Sequence, residues 1–156
     1  MSEKILIVDD ERALREVLTA RLEYAGYAVE SAKNGREAIG AYFQSQYMEI
    51  EPISLIIMDI MMPGTNGLEV LQIIRKSEEA RRISYENGTP VIMLTALKEA
   101  WMESFNRGCD DYLTKPYEAE ELIKKVVEKL EQRRLNINLM FTTSTAHIMK
   151  HRKTVD

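Results

Sequence analysis

Apolar residues along this chain fall into short β-branched runs separated by longer stretches with helical spacing. Lys4-Ile5-Leu6-Ile7-Val8 is apolar on both faces and stops abruptly at Asp9-Asp10-Glu11, the pattern of a strand buried inside a parallel sheet. Ala13, Leu14, Val17, Leu18 and Leu22 then recur at helical spacing, with Gly26 as the stop. Tyr27-Ala28-Val29-Glu30-Ser31 alternates as a half-exposed edge strand does. Asn34-Gly35 turns the chain into a second helix carrying Ala38, Ile39, Tyr42 and Phe43. Ser54-Leu55-Ile56-Ile57-Met58 repeats the first burst and again ends in an acid, Asp59. A loop with Pro63, Gly64 and Gly67 leads to a third helix carrying Leu68, Leu71 and Ile74. Pro90-Val91-Ile92-Met93-Leu94 ends in Thr95-Ala96, and a helix from about Lys98 to Arg107 stops at Gly108. Asp111-Tyr112-Leu113-Thr114 ends at Lys115-Pro116. The last helix opens with Glu118, Glu120 and Glu121 and closes with Lys129, Arg133 and Arg134, an order that suits the helix dipole. Five β-α units in strict alternation predict an α/β fold, a doubly wound five-stranded parallel sheet with helices on both faces.

Near Arg134 the character changes, which divides the chain into a domain over 1–134 and a tail or linker over 135–156. Leu135, Ile137, Leu139 and Phe141 alternate as a strand would, while Leu130, Ile137 and Phe141 continue the stripe of the fifth helix, so strand and helical extension both stand. The tail carries a net +2 and the preceding residues −6, for −4 over 156 residues. That balance leaves no basic footprint for nucleic acid, so no direct nucleic-acid binding by this chain is expected. With 45% hydrophobic residues the chain can build a core. No apolar run approaches the ~20 residues of a membrane helix, and no signal-peptide pattern opens the chain; a cytoplasmic protein without membrane contact is expected. Cys109 is the single cysteine, and Asp110 and Asp111 beside it argue for a packed core residue over a reactive thiol. His147 and His151 share a helical face but lack a third ligand, so a solvated pair is expected; Met61 and Met62 are read as packing residues.

In open α/β sheets the functional crevice lies beyond the carboxyl ends of the strands. Those ends deliver Asp9 and Asp10, Asp59, Thr95 and Lys115, each directly after its own apolar run. Singly, each reads as a turn residue. Together, three carboxylates repel unless a cation sits among them, and hard oxygen donors without a nearby His point to Mg²⁺. A carboxylate beside such an ion can attack a phosphoryl group, with a lysine and a hydroxyl neutralising its oxygens.

Val8-Asp9-Asp10-Glu11, Met58-Asp59-Ile60-Met61-Met62-Pro63-Gly64, Leu94-Thr95-Ala96 and Asp110-Asp111-Tyr112-Leu113-Thr114-Lys115-Pro116 resemble the signature of response-regulator receiver domains of two-component signalling. The resemblance covers roughly residues 3–132, with all four segments in order. It implies a flavodoxin-like sheet of strand order 2-1-3-4-5. It implies Asp59 as phosphoacceptor, served by a sensor histidine kinase or a histidine phosphotransfer protein. Mg²⁺ would be held by the Asp10 and Asp59 carboxylates, by the Met61 backbone carbonyl and, through a water, by Asp9. Lys115 would pair with the phosphoryl group, Thr95 would hydrogen-bond it, and Tyr112 would follow Thr95 inward as a switch. A cis peptide before Pro116 is implied too. The output would be a downstream protein target or an output domain, with homodimerisation through helix 4, strand 5 and helix 5 or through the tail.

Three competitors remain. An Asp-nucleophile, Mg²⁺-dependent phosphohydrolase needs an acid two residues after the nucleophile, where this chain has Met61. A flavodoxin-type cofactor module needs a phosphate loop where this chain has Asp9, Asp10 and Glu11, which repel anions. A phosphorylation-independent interaction module is disfavoured because every acceptor-site residue is present. The connections over 77–89, with Asn87-Gly88, and over 44–53 are longer than the family's usual ones and are expected on the surface.

Overall fold

A computed structural model describes residues 2–48 and 51–152. Strands β1 (Lys4–Val8), β2 (Ala28–Ala32), β3 (Ile53–Asp59), β4 (Val91–Thr95) and β5 (Asp111–Thr114) alternate with helices α1 (Arg12–Tyr24), α2 (Gly35–Tyr47), α3 (Gly67–Ala80), α4 (Trp101–Asn106) and α5 (Ala119–Arg152). All neighbouring strands are parallel, in the order β2-β1-β3-β4-β5. This is the five-stranded, flavodoxin-like arrangement expected.

The double-sided apolar runs have a direct structural meaning. Ile5 and Ile7 of β1, Leu55 and Ile57 of β3, and Ile92 and Leu94 of β4 point to one face and pack with Leu18 and Leu22 of α1 and Leu122, Val126 and Leu130 of α5. The intervening Leu6, Val8, Ile56, Met58, Val91 and Met93 point to the other face, against Tyr42 of α2 and Leu71 and Ile74 of α3. Edge strand β2 stays mostly half-exposed, as its alternation predicts. Helices α2 and α3 begin at side-chain caps: Asn34 accepts from the Glu37 amide at 2.8 Å and Asn66 from the Glu69 amide at 3.0 Å.

α3 stops at Ala80, and the connection after it has Arg82 at φ +59° and a 3-10 turn at Tyr85–Asn87. Two local readings are corrected. The segment over 98–107 splits into a 3-10 turn, Lys98–Ala100, followed by the short α4. The alternation at Leu135 to Phe141 makes no strand: α5 passes position 134 without a break. The side chains of His147 and His151 lie outside the described residues.

Cys109 is fully buried in the α2/α3-side core, and burial with neighbouring Asp110 and Asp111 pushes its thiol from 9.0 up to about 12. A thiol raised in the folded state keeps its proton there while the unfolded chain releases it, so stability falls as pH rises from about 9 towards 12. At pH 8 we expect Ellman's reagent to label Cys109 at least tenfold more slowly in the native protein than in denaturant. Equal rates would show that the thiol is open to solvent.

Candidate phosphoacceptor site

The sheet register brings the acids together. Val8 of β1 is opposite Met58 of β3, so Asp9 and Asp59 follow on adjacent strands at the same carboxyl edge. Oxygen atoms of Asp9, Asp10 and Asp59 lie within 4.8 Å of one another. Asp9 and Asp59 are buried, 2% and 6% exposed, whereas Asp10 faces solvent.

Lys115 reaches both buried acids from the end of β5: its Nζ donates to Asp9 Oδ2 at 2.9 Å and to Asp59 Oδ2 at 3.1 Å. The second oxygen of each acid takes a backbone donor, the Glu11 amide on Asp9 Oδ1 at 2.9 Å and the Met61 amide on Asp59 Oδ1 at 3.2 Å. Burial pushes the Asp59 carboxyl above its ordinary range, against the opposing pull of the Lys115 ammonium. Burial also works to lower the Lys115 amine, but its hydrogen bonds to Asp9 and Asp59 outweigh it and leave it raised. The result is an ionic knot open to solvent on the Asp10 side.

Thr95 is fully buried at the end of β4, where its Oγ1 accepts from the Leu97 amide at 3.3 Å. Its carbonyl accepts from the Lys115 amide at 2.8 Å, tying the β4 and β5 ends together. Tyr112 is half-buried on β5; its ring packs on the core and its hydroxyl donates to the Leu97 carbonyl. The hydroxyl of Tyr112 therefore holds the loop that follows Thr95. The Lys115–Pro116 peptide is cis. Met62 is buried as expected, but the Met61 side chain is 58% exposed, which corrects its reading as a packing residue. Its backbone is the part that faces Asp59.

Three residues of the site were not singled out from sequence. Arg15, on α1, donates from Nη1 to the Asp9 carbonyl at 2.8 Å and steadies the acidic turn. Gly67 lies so close to Asp59 that a Cβ there would meet the Asp59 carbonyl oxygen at 2.1 Å. Tyr117 buries its hydroxyl without a hydrogen-bond partner among the described residues; burial raises its pKa, opposed by nearby Lys115 and reinforced by Asp9 and Asp59. Nothing at the level of spacing distinguishes Arg15 from an ordinary helix-surface arginine. The Asn66-Gly67 pair at a helix start was the one available signal for the second.

Oxygen donors alone, three of them carboxylates, with no His or Cys in the cluster, fit a small hard cation such as Mg²⁺.

Comparison with known proteins agrees with this arrangement. Residues 5–127 match the family model of the response regulator receiver domain. The chain is 40% identical over 125 residues to the transcriptional regulatory protein ResD of Bacillus subtilis, covering 79% of this chain and 46% of that protein. It is 37% identical over 125 residues to the DNA-binding dual master transcriptional regulator RpaA of Synechocystis, covering 79% and 47%. The chain thus spans about half the length of the curated relatives it matches. Among solved structures, it is similar to the response regulator TrrA of Thermotoga maritima in complex with Mg²⁺ and BeF, at 34% identity, TM-score 0.67, and coverage of 81% of this chain and 98% of that one. A CheY-like receiver domain protein from Methanospirillum hungatei aligns with 30% identity, TM-score 0.72 and coverage of 87% and 99%. Spanning most of the sheet and all four of the motifs at its carboxyl edge, these matches show that the chain belongs to the response regulator receiver domain family of two-component signalling.

Proposed function

We propose that Asp59 is the phosphoacceptor and that Asp9, Asp10, Thr95, Tyr112 and Lys115 serve it. The observation that carries this reading is the double hydrogen bond of Lys115 to Asp9 and Asp59 beside the exposed Asp10 carboxylate. An oxygen of Asp59 attacks phosphorus, the bond from phosphorus to the donor's histidine nitrogen breaks, and that nitrogen recovers a proton. Asp10 and Asp59 would hold Mg²⁺ through their carboxylates and Met61 through its backbone carbonyl, with Asp9 reaching it through a water. The ion supplies charge neutralisation of the phosphoryl oxygens when bound. Lys115 then exchanges its Asp59 contact for a phosphoryl oxygen, and Thr95 offers its hydroxyl. Water attack on the same acyl phosphate is assisted by the same groups, so the chain removes its own phosphoryl group without turning over an external substrate.

Tyr112 is the second half of the switch. Phosphorylation adds ~1.5–2 negative charges at one point. Movement of Thr95 towards that charge drags the Leu97 loop, on which the Tyr112 hydroxyl rests, and so changes the α4–β5–α5 surface. The donor is a sensor histidine kinase or phosphotransfer protein, and the reader is a protein target or an output domain. Residues 1–134 form the receiver and 135–156 a linker, and the chain itself needs neither DNA nor membrane contact to signal. No helix among the described residues is long and apolar enough to cross a membrane; a cytoplasmic place is part of this proposal.

The test is intact-mass spectrometry after incubation with acetyl phosphate, with and without Mg²⁺, on wild type and Asp59→Asn. One phosphoryl adduct is expected, dependent on Mg²⁺ and absent from the variant. An adduct that survives in Asp59→Asn would assign the acceptor elsewhere, and a folded wild type with no adduct from either acetyl phosphate or a phosphorylated kinase would leave the interaction-module reading.

A further inference from the structure

Among the described residues, two buried side-chain polar atoms meet no hydrogen-bond partner, Tyr117 Oη and Arg133 Nε. The Arg133 guanidinium is anchored all the same, since its Nη1 donates to the Ser54 carbonyl at 2.8 Å. A phenol has a single polar atom, so Tyr117 has nothing else to offer. Burying that hydroxyl without a partner costs the folded chain stability, and a phenylalanine would fill the same space without the penalty. Such a hydroxyl is useful only in a state where it is bonded. Its place in the fold narrows the partner. Tyr117 stands two residues after Lys115, past the cis Lys115–Pro116 peptide, and packs on the apolar layer formed by β1, α1 and α5. Ile7 of β1 and Leu14 of α1 belong to that layer, and the turn between them carries Asp9 and Glu11. The charges that act on the hydroxyl are those of Lys115, Asp9, Asp59 and Glu11, in falling order. Lys115 can only donate, which would leave the phenol proton unused. Glu11 is exposed and hydrated, and Asp59 is the group to be phosphorylated. Asp9 remains. It is buried, its Oδ1 accepts from the Glu11 amide, and its Oδ2 accepts from Lys115 alone, although a carboxylate oxygen has two lone pairs.

We propose that Tyr117 is a positioning residue of the acceptor site: its hydroxyl donates to Asp9 Oδ2 in the phosphorylated state, replacing the hold that Lys115 loosens as it follows the phosphoryl group. The proposal rests on the reading of Asp59 as acceptor. In the free chain Lys115 spans Asp9 Oδ2 at 2.9 Å and Asp59 Oδ2 at 3.1 Å, so one ammonium aims both carboxylates. An amine drawn towards a phosphoryl oxygen leaves the buried Asp9 carboxylate with less of its counterion. A phenol donating to a charged oxygen makes one of the stronger hydrogen bonds, and it keeps Asp9 aimed while Lys115 is engaged elsewhere. The hydroxyl has no protein partner in the free state, so the whole of that bond is a difference between the two states and favours the phosphorylated one.

Tyr117→Phe removes the oxygen and keeps the ring. Scanning calorimetry of the full chain in Mg²⁺, with beryllium fluoride added as a phosphoryl mimic at a series of concentrations, reads both states. Without the mimic the variant is expected to melt no lower than wild type, because the hydroxyl removed had no partner. The apparent affinity for beryllium fluoride, taken from the rise in Tm with concentration, is expected to be at least about fivefold weaker in the variant. Tyr27→Phe, which loses a hydroxyl elsewhere on the same apolar layer, is expected to stay within about twofold of wild type. Asp9→Asn keeps the shape of the acceptor and removes its charge; in that background the loss from Tyr117→Phe is expected to shrink to about twofold or less. A variant that melts several degrees lower without the mimic would show the hydroxyl already bonded in the free chain. Equal affinities would show that no bond forms on loading, and a loss that persists in Asp9→Asn would give the hydroxyl another partner. Each of these overturns the proposal while the acceptor reading stands. A wild type with neither a rise in Tm nor an acetyl phosphate adduct would overturn the acceptor reading, and this proposal with it.

Discussion

Arg75→Met is expected to destabilise the protein by about 3–5 kcal/mol, a loss of roughly 10–15 °C in melting temperature for a chain of this size. Arg75 is on α3, and its side chain is only 14% exposed. Nη1 meets Glu78 and donates to the Thr89 carbonyl at 2.9 Å, Nη2 donates to Asp110 at 2.8 Å, and Nε donates to the Gly108 carbonyl at 2.8 Å. The guanidinium also lies 5.5 Å from the centre of the Tyr85 ring, whose hydroxyl donates to the Cys109 carbonyl at 2.8 Å. One cation therefore joins α3, the connection after it and the turn into β5. Methionine conserves much of the volume and leaves the Glu78 and Asp110 carboxylates without the one cation that contacts both. Burial already raises the Asp110 carboxyl despite Arg75 beside it. A carboxyl raised in the folded state makes stability fall as pH rises above the unfolded value of 3.8, and removing the cation steepens that fall. The deficit of Arg75→Met is thus expected to be smaller at pH 5 than at pH 7. Asp110→Asn should restore part of it, because an amide oxygen can still accept from the Val91 amide, now at 2.8 Å. Urea denaturation at both pH values decides the matter; a deficit below 1 kcal/mol that does not change with pH would mean that the two carboxylates are solvated.

That network shows where the sequence falls silent. Arg75 and Glu78 sit in Arg75-Lys76-Ser77-Glu78-Glu79-Ala80-Arg81-Arg82, a charged run that reads as a solvated face, and their partners lie up to 35 residues away. Glu78 is nonetheless buried, because its carboxylate accepts from the Thr89 amide at 2.8 Å and closes the connection after α3. The sheet was legible for the opposite reason. A strand covered on both faces must be apolar at every position, and no other element of five residues needs that. The acidic edge was legible because each polar residue follows such a strand directly, so position in the sequence became position on one edge. The tail was ambiguous because, with its charges gone, apolar residues stand at both period two and the helical period. Only continuity with α5 separates them.

Gly67→Ala adds a single methyl group and is expected to cost about 3 kcal/mol and to slow adduct formation from acetyl phosphate more than tenfold. Gly67 opens α3 immediately behind Asp59, the proposed acceptor, and its amide donates to the Ile60 carbonyl at 2.9 Å. A Cβ here would lie 2.1 Å from the Asp59 carbonyl oxygen and 2.9 Å from the Ile60 Cα, where ordinary contact begins at 3.4 Å. Both obstacles are backbone, so no rotamer relieves them; either the first turn of α3 or the end of β3 must move by about 1 Å. The end of β3 carries the Asp59 carboxylate, aimed by the Met61 amide and by Lys115, and it is buried between β1 and β4. The same displacement thus lowers stability and misaims the proposed nucleophile, and a misplacement of this size costs up to 10²-fold in rate. Gly40→Ala, in the middle of α2 with nothing within 4 Å of the new Cβ, separates the clash from the general effect of replacing a helical glycine. That variant should gain up to about 1 kcal/mol and react at the wild-type rate. If Gly67→Ala melted and reacted like Gly40→Ala, the contact between α3 and the acceptor strand would be looser than drawn, and the aim of Asp59 would have to be fixed by Lys115 and the Met61 amide alone.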